Sequence, residues 1–404
     1  MSEIKVNSIK GVAATTAALT INNTDGTATA NLTNIGGGQL GNRNLIINGA
    51  FQCCQRVTSS TDNGYGSVDR FRITRSGTDE SPTQEQADVA AGTTPYTLGF
   101  RKCYKITNGN QTSGAGAADF IKIQHRIEGQ NIANSGWNYK SASSFLTLSF
   151  WVKSSVAQNF YGYLETHGNS PAYLYPYETG SLSQNTWTKV TKTIAGNSNL
   201  LFNNDNAEGL RIEIHPFLGT DSTASGVSLN QWNVYASASR TPDQTATWYE
   251  TNDATFEITG VQLEVGSVGT DFEHRSFAQE LDLCTRYCQV FTSAASDKRI
   301  NFSNVFVHGN GGGIYIMVGL LPMRSAPSVS LSGSFNANVL TGSWTSVGLS
   351  NFTAEFTSNS DNYGKTFGFD GLMSADLASN QTVGKTGNVY SSSGFGQFIF
   401  SAEL

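Results

Sequence analysis

From Asn42 onward the sequence is built of short runs in which every second residue is apolar, separated by clusters of Gly, Asn and Ser. In DFIKIQHRI, Ile121, Ile123 and Ile127 share one phase with His125. In FLTLSFWVK, Leu146, Leu148, Phe150 and Val152 do the same, and in LRIEIHPF so do Leu210, Ile212 and Ile214. Side chains of an extended chain point alternately to its two faces, so each run buries one face and shows the other. Runs of this kind with turn residues between them predict antiparallel strands in a sandwich or barrel. The apolar phases are the expected core. No fixed repeat period runs through the chain, which argues against a solenoid.

One strand breaks its own alternation. In the stretch around GVQLEVGSVGTDFEHR, Phe256 and Ile258 lie in one phase and Val261, Leu263 and Val265 in the other. One extra residue at Thr259–Gly260 would restore the facing, and Gly is a favoured bulge residue, so a bulge or sharp bend is predicted at Gly260. The following SFAQELDLCTRYCQVF places Phe277, Leu281, Cys284 and Cys288 at i, i+4, i+7 and i+11, which predicts an amphipathic helix of about three to four turns. Ser276 can cap its start, with Glu280 close behind. After about residue 292 strand-like runs resume (RINFSNVFV, GGGIYIMVGL, NFTAEF, GQFIFSAEL), and the chain is expected to end tied into a sheet. Before Asn42 the sequence is Thr-, Asn-, Ala- and Gly-rich. It has too few large apolar residues to bury its own backbone as a monomer, so either a partner orders it or it is a loose leader.

The 404 residues suffice for two or three domains. Charged residues are 14%, below the roughly 25% of an ordinary soluble protein. The net charge of −6 gives no electrostatic footprint for DNA or RNA. No apolar run approaches the roughly 18 residues of a membrane span. MSEIKVNSIKGV lacks the apolar core of a signal peptide, so synthesis in a cytoplasm is expected. Five cysteines, with Cys53 and Cys54 adjacent, do not make a disulfide framework, and free, mostly buried thiols are the reading.

Several segments together resemble bacteriophage tail-fibre proteins. RNLIINGAFQCCQR and GYGSVDRFRI resemble the opening of their central domain. SFLTLSFWVKS and NTWTKVTKTI resemble the paired inner strands of a carbohydrate-binding jelly roll. GVQLEVGSVGTDFEHRSFAQELDLCTRYCQVF resembles the closing strand and linker helix, and LPMRSAPSVSLSG with FIFSAEL resembles the small C-terminal β-domain of the same proteins. MSEIKVNSIKG is similar to the virion-anchoring start of fibres in phages of marine bacteria. The likeness departs at Cys53–Cys54, where the pattern has an aromatic or aliphatic pair, and at Phe71, where Trp is common. It implies an all-β chain divided into a virion-attachment arm over 1–41 (with Ile4, Val6 and Ile9 in contact), a jelly-roll sandwich over 42–276, a linker helix over 277–291 and a distal C-terminal β-sandwich over 292–404. It further implies a homotrimeric fibre on the virion, made in the host bacterial cytoplasm. Its partners would be tail adaptor or nozzle proteins and host-surface polysaccharide, with the distal domain first in line for receptor contact. Related jelly rolls often hold a structural Ca2+, but no dense Asp cluster supports one here, and no cofactor is expected.

Sugar recognition uses an aromatic face for the ring and amides or carboxylates for the hydroxyls. The candidates are Tyr173, Tyr175, Tyr177 and Glu178 in PAYLYPYETG, Trp232 and Tyr235 in LNQWNVYAS, and Trp137 and Tyr139 in GWNYK. The alternative is that these rings pack between sheets or subunits. No histidine has zinc spacing with a cysteine or a second histidine. Glu165 and His167 share one face of a strand. A glycosidase needs two placed carboxylates, and Asp69, Glu165, Glu178 and Glu213 fall on different strands with no evident pair, so a non-enzymatic protein is expected. The rivals are a polysaccharide-degrading tailspike and a head fibre or connector without receptor binding. Deleting residues 1–41 is expected to leave the rest folded and to abolish incorporation into virions; normal incorporation, read by immunoblot of purified particles, would contradict the anchor.

Overall fold

A computed structural model describes residues 8–9, 19–21, 24, 28–30, 42–168, 170–293, 299–308, 312–340, 344–360, 366–379, 381, 383–391 and 396–404. Three short strands, β1 (Ser8–Ile9), β2 (Leu19–Ile21) and β3 (Ala28–Ala30), pair antiparallel within the chain. Of the expected attachment residues, Ile4 and Val6 lie outside the described residues, and Ile9 closes β1.

The body is a sandwich of two six-stranded antiparallel sheets. In chain order its strands are β4 (Ser59–Ser60), β5 (Phe71–Ser76), β6 (Thr83–Asp88), β7 (Lys102–Thr107), β8 (Phe120–Glu128), β9 (Phe145–Ser154), β10 (Asn159–Thr166), β11 (Tyr173–Ser181), β12 (Thr188–Ala195), β13 (Glu208–Leu218), β14 (Asn233–Val234) and β15 (Thr255–Val265). The first sheet runs β14-β11-β10-β13-β8-β5 and the second β12-β9-β15-β7-β6-β4. Short helices α1 (Thr94–Thr97), α2 (Gly129–Ala133) and α3 (Thr247–Glu250) decorate the connections. The apolar phases of β8, β9 and β13 meet in one core between the sheets, as their alternation predicts. Trp151 points the other way and packs with Phe100, Cys103, Trp187 and Phe272 on the second sheet's outer side.

The predicted irregularity falls where the phase changes. Pairing of β15 with β9 shifts register between Thr259 and Gln262, and Gly260 has φ 63°. The shift lets Phe256, Ile258, Val261 and Leu263 all enter the same core. The Val261 N–H donates to Gly49 O at 2.9 Å, so the bulge also pins the segment that leads into the sandwich. Only glycine fits: a Cβ would stand 2.6 Å from Phe100 Cζ, in a left-handed conformation that side chains disfavour.

Helix α4 (Phe277–Thr285) follows, and is shorter than its sequence pattern suggests. Ser276 caps it, with Gln279 rather than Glu280 as reciprocal partner. Glu280 is buried instead, where it accepts from the Asn48 N–H at 2.5 Å. Phe277 is 55% exposed, so the buried stripe is reduced to Cys284 with half-buried Leu281 beside it. The helix ends because Arg286 and Tyr287 turn aside to Glu128, with bonds of 2.7 and 2.5 Å, and Cys288 already opens a strand. All five cysteines are free thiols, and all but half-buried Cys54 are buried.

The distal unit comprises β16 (Cys288–Ser293), β17 (Arg299–His308), β18 (Gly313–Leu320), β19 (Ser328–Ser332), β20 (Phe335–Leu340), β21 (Trp344–Ser360), β22 (Thr366–Leu377), β23 (Thr386–Ser391) and β24 (Gly396–Ser401). The all-β expectation holds. Instead of a second pair of open sheets, however, β17-β18-β22-β21-β20-β23 close into a barrel, beside the small sheet β16-β24-β19. Closure leaves the barrel without free edges. The last strand lies between β16 and β19, and the residues after it seal the junction with the sandwich. Glu403 pairs with buried Arg70 and with Arg56, the Arg70 guanidinium lies 3.4 Å from the centre of the Tyr287 ring, and the Tyr65 hydroxyl donates to Leu404 O.

Gly260→Val is expected to cost about 2–4 kcal/mol, from left-handed backbone strain together with overpacking against Phe100. Urea unfolding of the two proteins measures it; a cost below about 0.5 kcal/mol would mean that the bulge is not constrained as described.

Candidate functional site

The strands whose apolar phase makes the core present their other phase on the outer side of the first sheet. Residues directly opposite on antiparallel neighbours share a face. Register therefore gives one rung of Arg72, Gln124, Glu213, Tyr163 and Pro176, running across β5, β8, β13, β10 and β11. A second rung holds Arg126, Arg211, Glu165 and Leu174. Beside these lie Lys122, and Tyr161 between His215 and Glu178. Arg240, on the loop between β14 and α3, comes close enough to interact with Tyr163, Glu213 and Glu165, and its guanidinium lies 5.5 Å from the Tyr235 ring.

This outer face is charged: two of its carboxylates are buried, while Arg72, Arg126, Tyr161, Arg211 and Arg240 stay half-buried at its surface. Glu213 is 1% exposed, His215 0% and Glu165 8%. A buried carboxylate needs matched donors. Gln124 Nε2 donates to Glu213 at 2.6 Å, His215 Nε2 lies at 3.1 Å, and Arg211 and Lys122 stand at 3.6 and 3.8 Å. Arg211 also reaches Glu165 at 3.2 Å and Glu208 at 2.7 Å, while Arg126 reaches Glu208 at 3.5 Å. His167 lies 3.4 Å from Glu208.

Burial pushes the Glu213 carboxyl up, but the bond to His215, the charge of Lys122 and the Tyr163 hydroxyl more than reverse this and hold it below the ordinary range. Burial lowers His215 in spite of Glu213, so its ring is neutral at pH 7 and donates from Nε2. Burial raises Glu165, and Arg211 only partly reverses that. Among the described residues, seven buried polar atoms of this face have no hydrogen-bond partner: Arg72 Nε, Thr74 Oγ1, Gln124 Oε1, Arg126 Nε, His167 Nε2, His215 Nδ1 and Arg240 Nε. Groups of this kind are satisfied by ordered water or by a ligand's own polar atoms. The face can thus hold a polyhydroxylated or charged molecule across several strands.

The aromatic candidates are placed differently. Tyr175 and Tyr177 are core residues, 3% and 0% exposed, with hydroxyls donating to Thr193 O and Glu213 O. Trp137 is 3% exposed and packs against Tyr139 and Phe202. These three rings offer no flat face to a sugar, because the apolar phase of β11 and the loop before β9 point inward. Tyr173, Tyr139 and Trp232 are half-buried against the same core, with Trp232 Nε1 donating to Ala195 O. Glu178 accepts from Asn159 at 2.8 Å. Of the sequence candidates, Glu178 sits on the outer face, and Tyr235 adjoins it through Arg240.

Arg72, Lys122, Gln124, Arg126, Tyr163, Arg211, His215 and Arg240 were not singled out in the sequence. Their signal was present as the polar phase of β5, β8, β10 and β13, but strand order is what brings them together. Glu165 and Glu213, which look scattered along the chain, both stand within 3.6 Å of one Arg211 nitrogen. No group of three metal-ligating side chains is arranged to hold an ion among the described residues. A separate cavity of about 460 Å³, lined by Asn42, Asn131, Asn134, Arg275 and Leu283 among others, shares no lining residue with this face.

No family model and no curated protein matches the chain. Similar solved structures include the enzymatically active domain of tailspike protein 4 of bacteriophage CBA120, with 11% identity over 55% of this chain and 21% of that one at a TM-score of 0.30. A putative sugar binding protein from Bacteroides thetaiotaomicron has 13% identity over 55% and 99%, at a TM-score of 0.29. The N-terminal cellulose-binding domain of a β-1,4-glucanase from Cellulomonas fimi has 11% identity over 52% and 96%, at 0.26. The functional reading rests on the residues of the face.

A depressed folded value contributes stability above the group's ordinary value and loses it as pH falls through the folded one. Glu213 is depressed from 4.5 and His215 from 6.5, so both contributions fade on acidification. Glu165 is raised and works in the opposite sense. Glu213→Gln is expected to be about 3 kcal/mol less stable than the parent near pH 7, with the gap narrowing below pH 4.5. Urea titrations of both proteins across pH check this; a gap independent of pH would contradict it.

Proposed function

We propose that the chain is a homotrimeric, non-enzymatic fibre of a bacteriophage tail. Residues 1–41 dock on tail adaptor or nozzle proteins, and the outer face of the first sheet adsorbs to host-surface polysaccharide. One observation carries the binding reading: seven polar atoms without partners lie on one sheet face, and half-buried Arg72, Arg126, Tyr161, Arg211 and Arg240 keep part of that face at the surface. The likeness of the sequence to tail-fibre proteins supplies the setting. Receptor contact is assigned to the sandwich in preference to the distal unit, because that face lies on it. Three copies on one fibre multiply a weak single-site affinity, which suits a repeating glycan.

One observation favours a polysaccharide-degrading tailspike. Glu165 and Glu213 are brought together, one raised and one lowered, as acid–base pairs are. Against it, the Arg211 guanidinium binds both carboxylates, where a scissile bond would have to lie.

Fluorescently labelled full-length protein is expected to bind host cells saturably, to be displaced by purified surface polysaccharide, and to leave the polymer's length unchanged. Tyr161→Ala, on the half-buried rim, should weaken binding about tenfold without altering thermal unfolding. Shortened polymer would favour the tailspike. No binding to a bacterium that the phage infects would favour a connector or head fibre.

A further inference from the structure

We infer that the saccharide taken by this face is polyanionic, carrying carboxylate, phosphate or sulfate groups along its length. The inference rests on the glycan-binding reading above and names the class of glycan.

The carboxylates of the face are already matched. Glu213 has Gln124, His215, Arg211 and Lys122; Glu165 and Glu208 share Arg211; Glu208 also has Arg126; Glu178 has Asn159. Two guanidiniums are left over. Neither Arg72 nor Arg240 makes a side-chain hydrogen bond or an ion pair among the described residues, and each has a buried Nε without a partner. Each instead lies near a tyrosine ring, Arg72 at 5.3 Å from Tyr65 and Arg240 at 5.5 Å from Tyr235, and each residue is half-buried, so each is held in place without leaving the surface. A fixed guanidinium matches a carboxylate or phosphate in fork geometry. The rest of the chain does not explain the pair, since its net charge is −6 and repels polyanions in general.

Their placement argues for a polymer over a single anion. Arg72 is on β5, and Arg240 approaches the Tyr163, Glu213 and Glu165 side chains on β10 and β13. The two are two to three strand spacings apart, on the order of 10–15 Å. A chain with a recurring negative group reaches both across the sheet.

The test uses the full-length chain and two labelled probes that share a backbone, polygalacturonate and its carboxyl-reduced neutral counterpart, followed by fluorescence anisotropy. The acidic probe is expected to bind at least about tenfold more tightly than the neutral one, and to be weakened at least about tenfold by 0.5 M NaCl. The double variant R72A/R240A, with unchanged thermal unfolding, should lose a similar factor, whereas R101A, an arginine away from the face, should lose none. Equal binding of the two probes would overturn the anion inference and leave glycan binding standing. So would equal losses in R72A/R240A and R101A. Failure of both probes while host-cell binding persists would also overturn it, and loss of host-cell binding itself would remove the reading on which it rests.

Discussion

Glu213 is a carboxylate on the outer side of a sheet, yet it is 1% exposed, and the face around it is organised to match that one charge. Gln124 and Lys122 come from β8, Tyr163 from β10, and Arg211 and His215 from Glu213's own strand. Removing a buried ion's partners costs several kcal/mol, so these groups fix one another's positions. Arg211 then carries the constraint outward to Glu165 and Glu208. A rigid polar floor results, with half-buried Arg72 and Arg240 at its surface. Preorganised donors lose little entropy when a ligand arrives.

The floor depends in turn on the strand order of the first sheet, and the sandwich is completed by a strand that must change phase midway. The Gly260 bulge allows β15 to bury Phe256 and Ile258 on one side of the irregularity and Val261 and Leu263 on the other, all in one core. Where the sandwich meets the distal unit, Arg70 is enclosed by Tyr287 and Glu403, which lie before and after the barrel in sequence. The distal unit is thereby attached at both its ends to the same patch of sandwich, by buried charge and by side-chain hydrogen bonds such as Gln55 Nε2 to Cys288 O and Gln397 Nε2 to Arg56 O.

Much of the fold was legible because alternation reports directly on which side chains face inward. The core residues of β8, β9 and β13, the bulge and the capped helix all follow from local patterns. The barrel was not legible, since closure depends on which strands pair, and period-two alternation is the same in a barrel and a sandwich. The site was read only in part for a similar reason. Aromatic clusters stand out in a sequence, but Tyr175 and Tyr177 share the phase of buried residues and are spent on the core. Glu165 and Glu213 are far apart in sequence and become neighbours only because β13 pairs with β10. Rows across a sheet have no one-dimensional signature.

The central claim is that ligand atoms complete the open polar groups of this face, and the most direct measurement is a crystal structure of the full chain with a bound fragment of its host's surface polysaccharide. The account predicts the fragment lying across β5, β8, β13 and β10, bonded to Arg72, Gln124 and Arg240. A fragment held on the distal barrel, or in the cavity between the entry segment and α4 with this face covered by water alone, would contradict it.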